Sequence, residues 1–220
     1  MSDLGFEVLD AQPEPYAAVP TIMLRLRVNE RSGMPVHAIA LRCQVRIEPQ
    51  RRRYTDAETA ALVEVFGERN QWADSLRPFL WTHVSTTVSS FSGSTELDLP
   101  ITCTYDFEVS GTRYFHALAD GEIPLLLLFS GTTFVAGTDG FSVTPVAWHE
   151  EAAFRLPVSV WQGMMDAHYP NRAFVTVSRE TLDELLRYRA AHALPTWDLV
   201  LERLLKEAGA VGEHAAREER

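Results

Sequence analysis

"LRCQVRIEPQRRRY", residues 41–54, sets a cysteine, a glutamate, three consecutive arginines and a tyrosine within one short span. Read together with the residues before it, the pattern is that of a strand. Across 37–47, Ile39, Leu41, Cys43, Val45 and Ile47 fall on one face and Arg42, Gln44 and Arg46 on the other, the period of two of a half-buried strand. Cys43 stands in line with aliphatic side chains, where a thiol behaves as a small hydrophobe. Pro49 ends the strand, and Gln50 to Arg53 form a polar exit. Thr55 with Glu58 three residues later makes a capping box, opening a helix that carries Ala61, Leu62, Val65 and Phe66 at helical spacing. The arginine run therefore reads as a solvated loop between strand and helix, with an anion-binding patch as the alternative. Arg51, Arg52 and Arg53 are candidates for docking a protein partner.

The same alternation recurs on either side. "TIMLRLRV", 21–28, points Ile22, Leu24, Leu26 and Val28 one way and Arg25 and Arg27 the other, and "NERSGMP" follows as a turn. Leu97, Leu99, Ile101, Cys103, Tyr105, Phe107 and Val109 alternate with polar residues, and Ser110-Gly111 reads as a turn into "TRYFHAL". "LLLLFSG" predicts a strand buried on both faces, "GTDG" at 137–140 a hairpin, and "VAWHEEAAFRLP" a closing strand. Many strands with frequent turns predict an α+β protein. Its core over 1–157 is an antiparallel β-sandwich with a helical insertion after the third strand, near 55–75.

From 158 to 209 the period changes to that of helices. Trp161, Met164, Met165, His168 and Tyr169 share one face, Ser178 caps a second helix, and Pro195-Thr196 opens a third with Gly209 as its C-cap. The segment is expected to pack on or beside the sandwich, and 210–220 to fray. The Trp161, Met164, Met165 and Tyr169 stripe fits either a helix packed on its own domain or an adaptable partner-binding surface.

The chain has 220 residues and a formal net charge of −10, which argues against nucleic acid or an anionic membrane as partner. "MSDLGFEVLD" lacks the basic-then-apolar pattern of a secretory signal, and "IPLLLLF" is too short to span a bilayer, so a cytoplasmic protein is expected. The two cysteines, Cys43 and Cys103, lack CxxC spacing. The seven histidines are scattered. His149 stands beside two glutamates without the second histidine of the zinc motif, and His116 precedes Asp120 and Glu122 only loosely. Ser130 ends a strand with no base marked for it, and no G-x-S-x-G elbow or glycine-rich phosphate loop occurs. These patterns predict no cofactor and no enzyme. A metal site built from His116, His149, Cys43 and Cys103 is the weaker alternative.

"RCQVRIEPQRRRY", "VFGERNQW", "DLPITCTYDFEV", "YFHALADGEIPLLLLFSG" and "LPTWD" together resemble an uncharacterised bacterial family known by a domain-of-unknown-function label, over roughly residues 5–205. Genes of that family lie in clusters encoding a NiFe uptake hydrogenase and its maturation factors. The resemblance implies a non-enzymatic accessory or chaperone-like protein for hydrogenase assembly, with hydrogenase subunits or maturation factors as protein partners. A metal- or redox-active maturation factor and a structural subunit of the complex are the alternatives.

Overall fold

The strand read at 37–47 lies inside the larger of two antiparallel sheets. The computed structural model describes residues 3–103, 110–137, 140–170 and 175–209. Among the described residues the strands are β1 (Leu4–Pro13), β2 (Thr21–Glu30), β3 (Val36–Ile47), β4 (Phe79–Val88), β5 (Ser94–Thr102), β6 (Glu122–Gly137), β7 (Gly140–Pro145) and β8 (Glu151–Pro157). The smaller sheet has the order β1-β2-β5, and the larger β4-β3-β6-β7 with β8 also paired to β6. The fold is α+β, as the alternating segments predict.

Burial follows the pleat. Ile22, Leu24, Leu26 and Val28 of β2 face Ile39, Leu41, Val45 and Ile47 of β3 across one core, and all are at most 1% exposed. Phe6 of β1 and Phe129 of β6 stack across the interface at 4.1 Å between centroids. Cys43 and Cys103 lie in this core as free thiols. The leucine run departs from expectation. Leu125, Leu127 and Phe129 are buried, whereas Leu126 and Leu128 stay half-exposed, because only one face of β6 turns toward the smaller sheet.

β6 holds the larger sheet together. One edge pairs with β3 from Leu125 to Val135. The other is shared, with β8 on Glu122 to Leu128 and β7 on Thr132 to Gly137. Gly131 sits in the gap at φ +144°, its carbonyl taking the amide of Val146 at 3.0 Å. A Cβ there would come within 2.1 Å of the Ala40 carbonyl oxygen on β3. The expected hairpin forms, with Gly137 opposite Gly140; residues 138–139 lie outside the described residues.

The helical insertion after β3 consists of α1 (Asp56–Ala61), α2 (Val63–Phe66) and α3 (Trp72–Ser75). Residues 104–109 lie outside the described residues, so the continuation of β5 expected through Val109 does too. The turn expected at Ser110-Gly111 is instead the start of α4 (Ser110–His116). Helical spacing lets Tyr114 and Phe115 enter the core together, against Phe66, Phe79, Trp81 and Trp161. The β2–β3 turn is pinned by buried Glu30, whose carboxylate accepts the amides of Ser32 (3.1 Å), Met34 (3.0 Å) and Asp3 (3.3 Å) and the Ser32 hydroxyl.

The chain divides into two compact units, Met1–Phe174 and Val175–Arg220, beyond the change of period at 157. α5 (Val158–His168) belongs to the first and packs on β1, β2 and β8. The second contains α6 (Arg179–Ala191) and α7 (Trp197–Glu207). Their first turns are capped by Ser178 and Thr196, and Gly209 takes φ +75° beyond α7. The tail at 210–220 lies outside the described residues. Among the described residues no helix is long and apolar enough to cross a membrane.

Gly131→Ala should lower stability by about 3 kcal/mol or more, since the backbone conformation alone costs about 1–3 kcal/mol for an L side chain and the methyl group also meets Ala40. Urea unfolding followed by tryptophan fluorescence measures the loss.

Candidate functional site

The three arginines of the opening stretch have three different fates. Arg51 is exposed and lies 2.9 Å from the buried carboxylate of Glu48. Arg53 is exposed and makes no ion pair among the described residues. Arg52 turns inward, its side chain only 8% exposed, and pairs with the equally buried Glu58. The expectation of a solvated run therefore fails at Arg52.

The reason is local. The capping box forms as read, with the Glu58 amide donating to the Thr55 hydroxyl at 3.2 Å and the Thr55 amide to the Glu58 carboxylate at 2.9 Å. The same carboxylate also accepts the amide of Ala119 at 3.1 Å. A buried carboxylate needs a cation, and Arg52 supplies it while donating to the carbonyls of Asp120 (2.6 Å) and Glu122 (3.2 Å). Burial disfavours the charge of Glu58, but the amides of Thr55 and Ala119 and the Arg52 guanidinium win and hold its pKa below the ordinary value. Glu30 behaves alike: burial opposes its charge, and the hydrogen bonds from Ser32, Asp3 and Met34 outweigh it.

Tyr54 completes the cluster. Its hydroxyl donates to the Pro49 carbonyl at 2.8 Å and meets the Tyr114 hydroxyl at 2.9 Å. Burial raises both phenols, Tyr114 to about 12 and Tyr54 further. Neither is a base near neutral pH. Beside the Arg52 and Glu58 pair an open recess of about 620 Å³ is lined by Arg51, Arg52, Arg53 and Arg155 together with Glu58, Asp120 and Glu122. Four arginines meet three acids there, so it concentrates little net positive charge.

The other candidates are placed as follows. Trp161, Met164 and Met165 are buried at 3%, 0% and 4%, which leaves them no surface to offer a partner; they are the packed face of α5. Tyr169 is half-buried at the end of that helix. His116 sits edge-on to Trp161 at 4.7 Å, and His149 is exposed beside Glu150 at 3.6 Å. Burial pushes the thiols of Cys43 and Cys103 up to about 12, which disfavours the thiolate at neutral pH. Among the described residues, no group of three or more His, Cys, Asp or Glu is arranged to hold a metal ion. Ser130 lies opposite Arg42, not opposite a base.

Sequence reading passed over Trp148. It is 92% exposed on the β7–β8 loop, and that loop is tethered to β6 on both sides. Val146 donates to the Gly131 carbonyl at 3.0 Å, and Phe129 donates to the Glu150 carbonyl at 2.9 Å. Separately, the outer face of the larger sheet presents Leu80 and the half-exposed Leu126 and Leu128.

A family model matches residues 1–213. The chain belongs to the family of unknown function DUF6084. No curated protein matches this DUF6084 chain. Solved structures match it loosely. The CARDB domain of the PF1109 protein from Pyrococcus furiosus, in complex with di-metal ions, is 12% identical over 71% of this chain and 92% of that one, with a TM-score of 0.29. A putative late embryogenesis abundant protein is 15% identical over 70% and 72%, at 0.32. A β-glucosidase from Kluyveromyces marxianus is 7% identical over 70% of the DUF6084 chain but 15% of its own, at 0.26. Likenesses at these scores say nothing of activity or partners, and the architecture stands on the strand pairing above.

Two predictions follow the buried pair. Arg52→Ala strands the Glu58 charge and should cost about 3–5 kcal/mol, whereas Arg51→Ala and Arg53→Ala should each stay within about 0.5 kcal/mol; urea midpoints separate the three. Because the folded pKa values of Glu30 and Glu58 lie below 4.5, the stability they contribute is present above about pH 4.5 and is lost as pH falls through the depressed values. Glu58→Gln should be less stable near neutral pH yet show a shallower loss on acidification, measured by urea midpoints across the acid range.

Proposed function

We propose that this DUF6084 chain is a non-enzymatic binding protein that serves as an accessory or chaperone-like factor in NiFe-hydrogenase assembly. Trp148 carries the binding reading. An indole that is 92% exposed, on a loop whose backbone is fastened at both ends to the central strand, offers a large apolar group without the loop having to be ordered on contact. The half-exposed Leu126 and Leu128 on the outer face of the larger sheet offer further apolar surface. Most other groups with chemical potential are absorbed into structure: Arg52 and Glu58 into each other, Tyr54 into Tyr114, and the cysteines into the core.

What supports the biological setting is the resemblance of the sequence motifs to a bacterial family encoded beside a NiFe uptake hydrogenase. An immature subunit exposes surface that must be held until it assembles, and a protein that holds it needs faces rather than a catalytic site. A cytoplasmic setting, expected from the sequence, is part of this proposal.

The test is affinity purification of the tagged chain from its native host under hydrogenase-inducing conditions, with quantitative mass spectrometry. Enrichment of hydrogenase subunits or maturation proteins is the expected result. Retention on the active enzyme identifies a structural subunit instead, and recovery of the chain alone overturns the reading.

A further inference from the structure

The outer faces of the two sheets treat charge in opposite ways. On the smaller sheet, register puts Arg27 of β2 between Glu7 of β1 and Glu96 of β5, and Arg25 between Asp10 and Asp98. Ion pairs follow: Arg27 lies 2.9 Å from Glu96 and 3.3 Å from Glu7, and Arg25 lies 3.2 Å from Asp98. Such exposed pairs add little stability, but they balance every arginine on that face.

The larger sheet does not do this. Arg42 and Arg46 of β3 point outward, away from the core. Arg42 stands between Ser85 of β4 and Ser130 of β6, Arg46 between Leu80 and Leu126, and Ala40 between Thr87 and Thr132. Among the described residues, neither arginine has a carboxylate partner; Arg46 donates only to the Pro78 carbonyl, at 3.5 Å. With Arg53 at the strand's exit, they are the exceptions in the first unit. The other described arginines there, at 25, 27, 31, 51, 52, 69, 77, 113 and 155, each lie within 4.0 Å of a carboxylate. In a chain with 30 acidic residues and a net charge of −10, balancing charge is plentiful, yet Arg42 and Arg46 are left unmatched, the exposed Glu151 of this face lying opposite Leu128 rather than beside either of them. Over Arg42 an open groove of about 620 Å³ is lined by Ser85, Thr87, Ser130 and Thr132, whose side chains carry hydroxyls.

We infer that the outer face of the larger sheet docks an extended acidic segment of a protein partner. Arg42 and Arg46 lie four residues apart on one face of a strand, about 13 Å along it. Carboxylates at i and i+4 of an extended peptide have the same spacing. Each guanidinium can take a carboxylate through two parallel hydrogen bonds. Leu80, Leu126 and Leu128 take apolar side chains between the acidic ones, and the hydroxyl row around Arg42 offers donors and acceptors to the peptide backbone. A polynucleotide fits worse: its continuous charge meets the net −10 of the chain beyond this one face. The inference rests on the binding reading above and names the face and the chemistry of what it binds.

The test uses the full chain and a short fluorescently labelled peptide with glutamates four residues apart and leucines between them, read by anisotropy. We expect saturable binding, weakened at least about tenfold when glutamine replaces the glutamates or when the protein carries Arg42→Glu with Arg46→Glu. Arg25→Glu, on the other sheet, should leave binding unchanged. Neither outward arginine has a carboxylate partner among the described residues, so the double variant should keep its thermal unfolding midpoint; the milder Arg42→Gln with Arg46→Gln serves if it does not. Absence of binding, equal binding of the glutamine peptide, or full binding by the double variant overturns the inference. So does a single-stranded RNA oligonucleotide that competes as well as the peptide, which marks a general polyanion site. Partners that co-purify with the chain while the peptide fails leave the binding reading standing and this face wrong. A peptide that binds at Arg42 and Arg46 while the chain purifies alone does the reverse.

Discussion

The pairing of β3 with β6 is the constraint on which the rest of the first unit depends. It runs from Leu125 opposite Ile47 to Val135 opposite Val36, and it places β4 on one side and β7 and β8 on the other. A slip of one residue would turn Leu125, Leu127 and Phe129 outward and bring Leu126 and Leu128 into the core. Two devices hold the register. Gly131 lets β6 come against the Ala40 carbonyl where its other edge passes from β8 to β7. At the opposite end Arg52, just past β3, grips the carbonyls of Asp120 and Glu122, where β6 begins.

The second device shows how burial sorts identical side chains. Arg51, Arg52 and Arg53 are indistinguishable by type, and two of them stay in water. Arg52 is drawn in because Glu58, already committed to capping α1, also receives the Ala119 amide and is left buried with a full negative charge. One carboxylate thereby joins a helix start, a strand exit and a strand entry. The helical insertion is fixed to the sandwich by this polar contact as well as by the aromatic packing of Phe66, Trp72 and Tyr114.

Much of the fold is legible in the sequence where one buried face imposes a clean period of two, as in β2 and β3. The capping box is legible because its geometry is local. β1 and β4 are harder to read. The bulge between Val8 and Asp10 breaks the alternation of β1, and an irregularity opposite Val45 and Arg46 leaves Trp81 of β4 between paired residues and free to pack on Phe115. From Thr82 on, β4 is threonine, serine and one histidine apart from Val84 and Val88, too few apolar residues to give a clear alternation. α4 was masked by its aromatic residues, which suit a strand as well as a helix. The candidate surface was less legible than the fold. That Arg42 and Arg46 point outward is plain from alternation, but that no acid stands opposite them depends on which residues of β4 and β6 they face, and register is a property of the folded sheet.

The unbalanced arginines of the larger sheet sit on a molecule that is negative as a whole, and this separates the speed of encounter from its persistence. An acidic partner is repelled at long range by the net charge and attracted only once it reaches the face itself. Added salt screens the repulsion and so hastens arrival, while it loosens the guanidinium contacts and so hastens departure. Two unmatched arginines on a negative molecule thus favour rapid exchange over tight capture.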